Sequence, residues 1–210
     1  MRRRQTPASS HAPVANARFA IDVDRGGVLE AARQVGSPNQ DERPPGTVPE
    51  LVVVHGISLP PGEYGGPWID LMFCNALPQD THPYFAAVAD LRVSSHLLIR
   101  RDGELVQYVP FARRAWHAGA SSWQGRERCN DYSIGIELEG TDADPYESAQ
   151  YAMLGRVVAL LCRAYPTLSA DRVVGHSDIA PGRKTDPGLS FDWPRLRALV
   201  RFELDLAPIA

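Results

Sequence analysis

Residues 174–188 read VGHSDIAPGRKTDPG, and this stretch decides the chemistry of the chain and the arrangement of the elements around it. Lys184 is the single lysine among the 22 basic residues. A compact ammonium differs from a planar guanidinium in size and hydration, so a site that needs one can reject the other. The prolines and glycines disfavour a regular helix. We predict that a strand over residues 172–174 leads into a rigid loop, which presents His176, Lys184 and Asp186 to one place.

A second histidine follows another apolar run. Residues 51–54 are continuously apolar and mostly β-branched, which is typical of a strand buried on both faces, and His55 ends this run. Neighbouring strands would bring His55 and His176 together over the end of a sheet. Histidine and aspartate both suit Zn²⁺, and a catalytic zinc needs three protein ligands and an open position. Although a lone histidine after a strand is more often structural, we predict a zinc site at His55, His176 and Asp186.

The composition indicates a soluble globular protein. Its 210 residues suffice for one domain with a sizeable core, and the apolar fraction of 44% is ordinary for such a domain. Because the net charge is −3 and no long basic run occurs, we expect no nucleic-acid partner. No apolar run approaches membrane-spanning length, so we expect no membrane partner. Residues 1–20 predict a disordered extension, followed by a single domain over residues 21–210.

Two features favour the cytoplasm. The three cysteines, Cys74, Cys129 and Cys162, are an odd number without a C-x-x-C spacing. This argues against a disulfide framework and a thiolate zinc site, and fits a reducing compartment. The arginine-rich start resembles the charged part of a signal peptide, but no apolar segment follows it. We therefore predict a cytoplasmic protein, whose oligomeric state the sequence does not give.

Apolar periodicity and turn residues predict the elements of the first half of the chain. We expect a short helix over residues 27–35. Residues 57–90 are rich in proline, glycine and aromatic residues, which is typical of a functional loop or lid. The pair Asp102-Gly103 separates two apolar segments and predicts a hairpin within residues 95–110.

The second half of the chain predicts one strand and two helices. Residues 133–139 alternate between apolar residues and small or acidic ones, as in a strand. A helix is expected to start at Asp144 and run to residue 164, and Asp192 is expected to cap a last helix over residues 193–204. Strands and helices interleave, so we predict an α/β (mixed) fold: a single domain with a central mixed β-sheet flanked by helices.

Two further residues are candidates for catalysis. The alternation of residues 133–139 turns Glu137 away from the apolar face, which by itself indicates a solvated carboxylate. Zinc lowers the pKa of bound water toward ~7, and a nearby carboxylate can then take the proton. Lys184 by itself is a surface amine, but as the sole lysine, two residues before a proposed ligand, it is a candidate for oxyanion stabilisation.

Other residues give weaker signals. Arginines pair with carboxylates and aromatic rings stack on sugars, but such residues are as often structural. Weak candidates for substrate contact on these grounds are Arg92, Trp116, Arg128 and the aromatic residues of 57–90. We favour a structural role for His96 and His117. Cys129 could be a nucleophile near His117, but no orienting group is evident, so we disfavour this role.

Nine segments of the chain resemble the amidase-2 family. They are residues 53–55, 57–63, 65–70, 92–96, 99–104, 106–110, 114–119 (RAWHAG), 134–140 (IGIELEG) and 184–188 (KTDPG). This combination is highly specific and spans about residues 27–200. Within the family, the segments are similar to the AmpD group of cytosolic zinc amidases, which act on 1,6-anhydro-N-acetylmuramyl peptides in cell-wall recycling. The resemblance implies a fold related to peptidoglycan-recognition proteins and phage lysozyme-amidases.

The resemblance also implies roles for individual residues. The implied zinc ligands are His55, His176 and Asp186, and the implied catalytic pair is Glu137 and Lys184. Positions that contact the muropeptide in the family match Arg92, Ala115, Trp116 and Arg128. The family usually has asparagine after the first histidine, where this chain has Gly56, so one hydrogen bond to the substrate is expected to be missing.

We therefore predict a zinc-dependent N-acetylmuramoyl-L-alanine amidase whose partner is a small-molecule anhydro-muropeptide substrate. It would hydrolyse the amide between the lactyl group of anhydro-muramic acid and L-alanine. One alternative is a non-catalytic peptidoglycan-binding module, which would need no metal triad. The other is a periplasmic amidase acting on intact murein, which would need a signal peptide.

Overall fold

A six-stranded mixed sheet lies at the centre of the protein, in a computed structural model that describes residues 18–206. The strands are β1 (Ile21–Asp22), β2 (Val28–Leu29), β3 (Arg33–Gln34), β4 (Gln40–Glu42), β5 (Leu51–Ile57), β6 (Leu97–Ile99), β7 (Leu105–Gln107), β8 (Arg113–Ala115), β9 (Ser122–Trp123), β10 (Arg126–Glu127), β11 (Ser133–Glu139) and β12 (Val173–Gly175). The helices are α1 (Trp68–Phe73), α2 (Pro83–Val88), α3 (Ser148–Ala164), α4 (His176–Ile179) and α5 (Trp193–Asp205), with 3₁₀ turns at Cys129–Asp131 and Ala170–Arg172.

The central sheet has the strand order β12-β5-β11-β6-β7-β3. Strands β12, β5, β11 and β6 run parallel to one another, whereas β7 is antiparallel to β6 and forms the predicted hairpin with it. Helices α3 and α5 pack together beside the sheet, so the predicted mixed α/β fold is confirmed. Because β12, β5 and β11 are parallel, their carboxyl ends meet at one edge, which is where the site is found.

Both faces of the sheet are covered by apolar side chains. Ile134, Ile136 and Leu138 of β11 pack in one cluster with residues of α3 and α5. Leu98 and Val106 of the hairpin pack on the other side with residues of α1 and α2. All seven residues of β11 are buried, so this strand lies in the interior although its sequence alternates. Burial of this kind contributes on the order of 25 cal/mol per Å² of apolar surface.

The helix predicted over residues 27–35 is wrong. This segment contains β2, which pairs with β1, and β3, which pairs with β7. Gly26 and Gly27 both have positive φ, at 74° and 89°, which helical backbone does not allow. The Gln107 side chain accepts a hydrogen bond from the Leu29 N–H at 2.7 Å. Pairing with distant parts of the chain therefore outweighs a weak helical pattern.

The loop predicted over residues 57–90 contains the two short helices α1 and α2. Phe73 and Phe85 are buried in the core, and the Trp68 ring lies 5.2 Å from the Phe85 ring. Phe73 and Phe85 therefore stabilise this segment from within and are not available to bind sugars. The His82 ring caps α2 by accepting a hydrogen bond from the Tyr84 N–H at 3.1 Å.

The two long helices agree with the prediction except at one end. Helix α3 is capped by Glu147 in a capping box with Gln150, so it begins later than predicted. Asp144, the predicted cap, instead accepts a hydrogen bond from the Tyr64 hydroxyl at 2.7 Å. Helix α3 ends at Ala164 as expected. Asp192 caps α5 as predicted, because its carboxylate accepts from the backbone N–H of the first turn.

Most of the extension predicted over residues 1–20 lies outside the described residues, which begin at Arg18. Phe19 packs against the core, and the Arg156 guanidinium lies 4.2 Å from its ring. All three cysteines are free. Within residues 18–206, no helix combines the length and the apolar character needed to cross a bilayer.

Candidate metal centre and active site

The register of three neighbouring strands brings three of the predicted residues to one edge of the sheet. His55 on β5 lies opposite Glu137 on β11. Gly175 on β12 pairs with Val54, so the next residue, His176, stands level with His55. Cross-strand partners project to the same face, so His55 and Glu137 share the face opposite the α3–α5 layer.

Asp186 reaches the same edge from the loop after α4. The Ser177 N–H donates to the Asp186 carbonyl at 3.0 Å, and the Lys184 N–H donates to the Ala180 carbonyl at 3.0 Å. Gly188 then turns away with a φ of 85° and lies against the backbone of Asp142. Backbone hydrogen bonds to α4 and a glycine turn therefore fix the loop, in agreement with the rigid loop expected from the prolines and glycines.

Three potential ligand atoms converge at this edge. The Nδ1 atoms of His55 and His176 are 2.9 Å apart, and Asp186 Oδ2 lies 3.2 Å and 3.0 Å from them, respectively. Zinc bonds of about 2.0–2.1 Å in a tetrahedral site place ligand atoms about 3.3 Å apart. Within residues 18–206, His55, His176 and Asp186 are the group of side chains whose ligand atoms lie close enough together to hold a metal ion.

The protonation of the two rings fits a bound cation. His176 Nε2 lies 3.2 Å from the Ala118 carbonyl, which can only accept, so the neutral ring carries its proton there and leaves Nδ1 bare. A bare nitrogen and a carboxylate oxygen 3.0 Å apart repel unless a cation lies between them. Burial lowers the pKa of His55 to about 4, so this ring is neutral near pH 7, as metal binding requires.

Glu137 is buried beside this cluster. Its Oε2 atom has no hydrogen-bond partner among residues 18–206. Burial raises the pKa of Glu137 well above its usual range, the charge of Asp186 raises it further, and Lys184 opposes both effects. The alternation of the strand, taken by itself, indicated a solvated carboxylate. This interpretation is wrong, because β11 is covered on both faces. A buried carboxylate that readily holds a proton suits a general base.

Lys184 lies on the exposed rim of the site loop. Its charge lowers the pKa of both Glu137 and His55, so the ammonium is within electrostatic reach of the buried cluster. Among the described residues, no carboxylate forms an ion pair with it. The amine is therefore available to a negative charge that develops on a bound molecule.

Two of the residues expected to contact substrate directly precede His117, whose Nδ1 atom lies 2.9 Å from His55 Nε2. Ala115 is fully buried at the end of β8, and the half-buried Trp116 follows it. The Trp116 N–H donates to the Ser94 hydroxyl at 3.1 Å, and the Trp116 carbonyl accepts from the Ser94 N–H at 3.1 Å. Arg92 precedes Ser94 by two residues and is exposed, so it belongs to the segment that adjoins Trp116.

Arg128, the fourth expected contact, lines a cavity of about 580 Å³ beside α4. Arg183 from the site loop lines the same cavity, together with Ile179 and Ala180 at the end of α4. Arg128 forms an ion pair with Asp131 at 3.1 Å but remains exposed. Glu127 also lines this cavity, so its charged side chains leave a net positive charge of one, which favours an anionic group such as a peptide carboxylate.

Gly56 borders the site at the position where asparagine was expected from the family. A Cβ atom there would overlap the hydroxyl of Tyr146. This hydroxyl donates to the Pro187 carbonyl at 2.9 Å and so connects the segment after His55 with the segment after Asp186. Tyr146 thus occupies the space that a side chain at position 56 would need.

The structure adds His117 to the site, although the sequence favoured a structural role for it. Its Nδ1 atom lies 2.9 Å from His55 Nε2. The position of His117 directly after the predicted contacts Ala115 and Trp116 was the signal that could have identified it. Cys129 does not fit a nucleophile, because its thiol is buried 3.3 Å from the Tyr132 hydroxyl. His96 is structural in its contacts, since its ring lies between the Gly135 N–H and the Arg113 carbonyl.

The site thus consists of two buried histidines and an aspartate at the edge of a mixed sheet, next to a buried glutamate. This combination is typical of a metal-dependent hydrolase. Comparison of the sequence with protein families agrees with this class. The family model described as N-acetylmuramoyl-L-alanine amidase (Amidase_2) matches residues 45–189. The chain belongs to this amidase family.

Individual relatives narrow the comparison. The 1,6-anhydro-N-acetylmuramyl-L-alanine amidase AmpD of Salmonella typhimurium (strain SL1344) is 62% identical over 177 residues, which are 84% of this chain and 94% of that protein. A crystal structure of a Se-Met AmpD derivative matches with a TM-score of 0.81 and 62% identity over 82% of this chain and 96% of that chain. The amidase AmiD from E. coli, in complex with the substrate anhydro-N-acetylmuramic acid-L-Ala-D-gamma-Glu-L-Lys, has a TM-score of 0.53 and 28% identity over 86% of this chain and 65% of that chain. The resemblance and the fold predicted from the sequence are confirmed.

Proposed function

We propose that this protein is a zinc-dependent amidase that hydrolyses the bond between the lactyl group of 1,6-anhydro-muramic acid and L-alanine, in the recycling of cell-wall fragments. The observation that carries the proposal is the convergence of His55, His176 and Asp186 beside the buried Glu137, whose Oε2 atom has no hydrogen-bond partner within residues 18–206. Similarity to the AmpD enzymes over 84% of the chain supports the choice of an anhydro-muropeptide as substrate.

Zinc is the metal that we propose for the cluster. Two imidazoles and one carboxylate, with a fourth position open, form a ligand set typical of catalytic zinc. When bound, zinc polarises the amide carbonyl and makes water acidic enough to be deprotonated near neutral pH. Purified protein should therefore contain about one zinc ion per chain, and Asp186→Ala should lose it. Metal analysis that finds no zinc, or full zinc retention by Asp186→Ala, would contradict this assignment.

In the proposed reaction, Glu137 acts first as the general base and then as the general acid. The oxygen of water bonds to the carbonyl carbon of the lactyl group while Glu137 accepts a proton from it. The carbon–nitrogen bond then breaks, and Glu137 returns the proton to the departing amine of L-alanine. The carboxylate is thus regenerated, and the products are a muramic carboxylate and a peptide with a free amino terminus. The raised pKa of Glu137 supports this role, because the protonated form is readily held.

Lys184 stabilises the oxyanion that forms when water adds to the carbonyl. Its ammonium is a compact donor on a flexible stem, and it is exposed and within electrostatic reach of Glu137 and His55. This stabilisation exists only in the transition state, so it should appear in kcat.

Substrate recognition is assigned to the surface around the cluster. We propose that Trp116 stacks on a sugar face, and that Ala115, which precedes it, and Arg92, from the adjoining segment, also contact the substrate. Arg128 and Arg183 line the cavity beside α4, and we propose that they bind carboxylates of the stem peptide. We assign the reaction to the cytoplasm because soluble anhydro-muropeptides are the proposed substrate and three free cysteines fit a reducing compartment.

Mass spectrometry of muropeptide digests tests the proposal directly. Soluble anhydro-muropeptides should lose their peptide at the lactyl–alanine bond, and a chelator should abolish the cleavage until zinc is restored. Intact sacculi, given in parallel, should be cleaved far more slowly. Binding without cleavage would favour the peptidoglycan-binding module, and equal rates on sacculi would favour an amidase of the intact wall.

A further inference from the structure

One dipeptide, His117-Ala118, contacts both proposed histidine ligands on the side that faces away from the proposed metal. The Nε2 atom of His55 lies 2.9 Å from His117 Nδ1, and the Nε2 atom of His176 lies 3.2 Å from the Ala118 carbonyl. In each ligand, the nitrogen that faces away from the proposed metal is therefore held by this dipeptide. The nitrogen that faces the metal is Nδ1 in both.

The proton on each nitrogen can be assigned by following the hydrogen bonds inward from a backbone carbonyl. The Ser133 hydroxyl donates its one proton to the Cys129 carbonyl at 2.6 Å. Ser133 Oγ must then accept from His117 Nε2, which lies 3.0 Å away, so the neutral His117 ring has a bare Nδ1. That bare nitrogen accepts from His55 Nε2, which leaves His55 Nδ1 without a proton and free to bind a cation.

The His117 ring is held in this position from several sides. It lies directly over Gly135 of β11, where a Cβ atom would overlap the ring. The Asn130 side-chain oxygen accepts from the backbone N–H groups of His117 and Ala118, at 3.1 Å and 2.8 Å. The dipeptide is thus fixed at its backbone, at its imidazole and at its carbonyl.

We propose that His117, oriented by Ser133, is a positioning residue that selects the tautomer and ring orientation of His55, and that the Ala118 carbonyl does the same for His176. This inference rests on the proposed metal site. His117 itself is not a ligand, because its Nδ1 points at His55 and its Nε2 at Ser133. Loss of such an outer partner typically lowers metal affinity by about 10–100-fold.

Zinc affinity, measured by competition with a chromophoric chelator, gives the first test. His117→Phe keeps a flat ring but removes both nitrogens, and we expect about 10–100-fold weaker binding. Ser133→Ala removes the group that orients His117, and we expect a smaller loss in the same direction. Ser95→Ala is the matched control, because the Ser95 hydroxyl is also buried and donates to a carbonyl, that of Gly135, at 2.7 Å. This control should bind zinc as the wild type does.

The tautomer of His117 gives the second test and needs no variant that disturbs folding. In ¹⁵N-labelled wild type, with or without zinc, His117 should carry its proton on Nε2, and Ser133→Ala should lose that single state. A proton on Nδ1 of wild-type His117 would overturn the inference. Unchanged zinc affinity in both His117→Phe and Ser133→Ala, with tight wild-type binding, would also overturn it. A wild type that binds no zinc would instead overturn the metal site, and the inference with it.

Discussion

Two glycines of the site loop should respond very differently to the same substitution. Gly182 and Gly188 both have positive φ, at 75° and 85°. A Cβ atom at Gly182 would have no neighbour within 4 Å among the described residues. At Gly188 it would overlap the backbone of Asp142. Gly182→Ala therefore tests backbone conformation alone, whereas Gly188→Ala adds a collision with main-chain atoms that cannot rotate away.

The expected losses in the free energy of unfolding follow from two effects, the backbone conformation and the collision with Asp142. A left-handed conformation costs a residue other than glycine roughly 1–2 kcal/mol, which applies to both substitutions. Overpacking against fixed atoms adds about 1–3 kcal/mol, which applies only to Gly188→Ala. We expect Gly182→Ala to lower the free energy of unfolding by about 1–2 kcal/mol, and Gly188→Ala by about 2–5 kcal/mol.

Urea unfolding with excess chelator measures these costs, and zinc competition measures the effect on the site. Gly188→Ala should also weaken zinc binding, because the displaced turn includes Pro187 and pulls on Asp186. Gly182→Ala should leave zinc affinity near that of the wild type. Equal losses of stability in the two variants, or a zinc affinity that Gly188→Ala does not change, would refute the reasoning from the Asp142 contact.

Three further outcomes are expected. Glu137→Gln should keep zinc and fold but lose about 10²–10⁴-fold in kcat, and near wild-type turnover would mean that another group takes the proton. Lys184→Arg should keep zinc yet fall about 10²–10³-fold in kcat, close to Lys184→Ala, and rescue by arginine would show that only a positive charge is needed. Burial lowers the pKa of His96 well below 6.5, so the unfolded chain binds the extra proton first. In chelator, His96 should contribute a fall in stability of up to about 1.4 kcal/mol per pH unit below pH 6.5. Because burial also lowers the pKa of His55 and His117, His96→Gln should reduce this dependence without abolishing it.

The parts of the site that the sequence predicted are those fixed by short-range patterns. His55 and His176 each follow a short apolar strand, and parallel strands place their carboxyl ends together, so the pair could be expected to meet. The hairpin at Asp102-Gly103 and the cap at Asp192 depend on local backbone geometry, which neighbouring residues determine.

The parts that the sequence missed depend on contacts between distant segments. The alternation around Glu137 resembles that of a half-exposed strand, because a sequence shows the period of a strand but not what covers its second face. The role of His117 depends on Gly135, which leaves room for the ring, and on Ser133, which orients it. None of these residues is close to His55 in the sequence, so no local pattern could connect them.

The proposed metal ligands are held by two structural elements of different stability, the central sheet and the loop that carries Asp186. His55 and Glu137 lie on neighbouring strands whose ladder pairs seven residues, and His176 follows a third strand in register with them. Asp186 depends on a loop held by a few backbone hydrogen bonds, each worth about 1 kcal/mol net. A cation bonded to both parts connects the loop to the sheet, so binding it also orders the loop. His117 lies on the sheet side of this arrangement, and its loss should impair the histidine ligands while leaving the contacts of the Asp186 loop intact. The strands therefore set the geometry of the metal site, and the loop completes it.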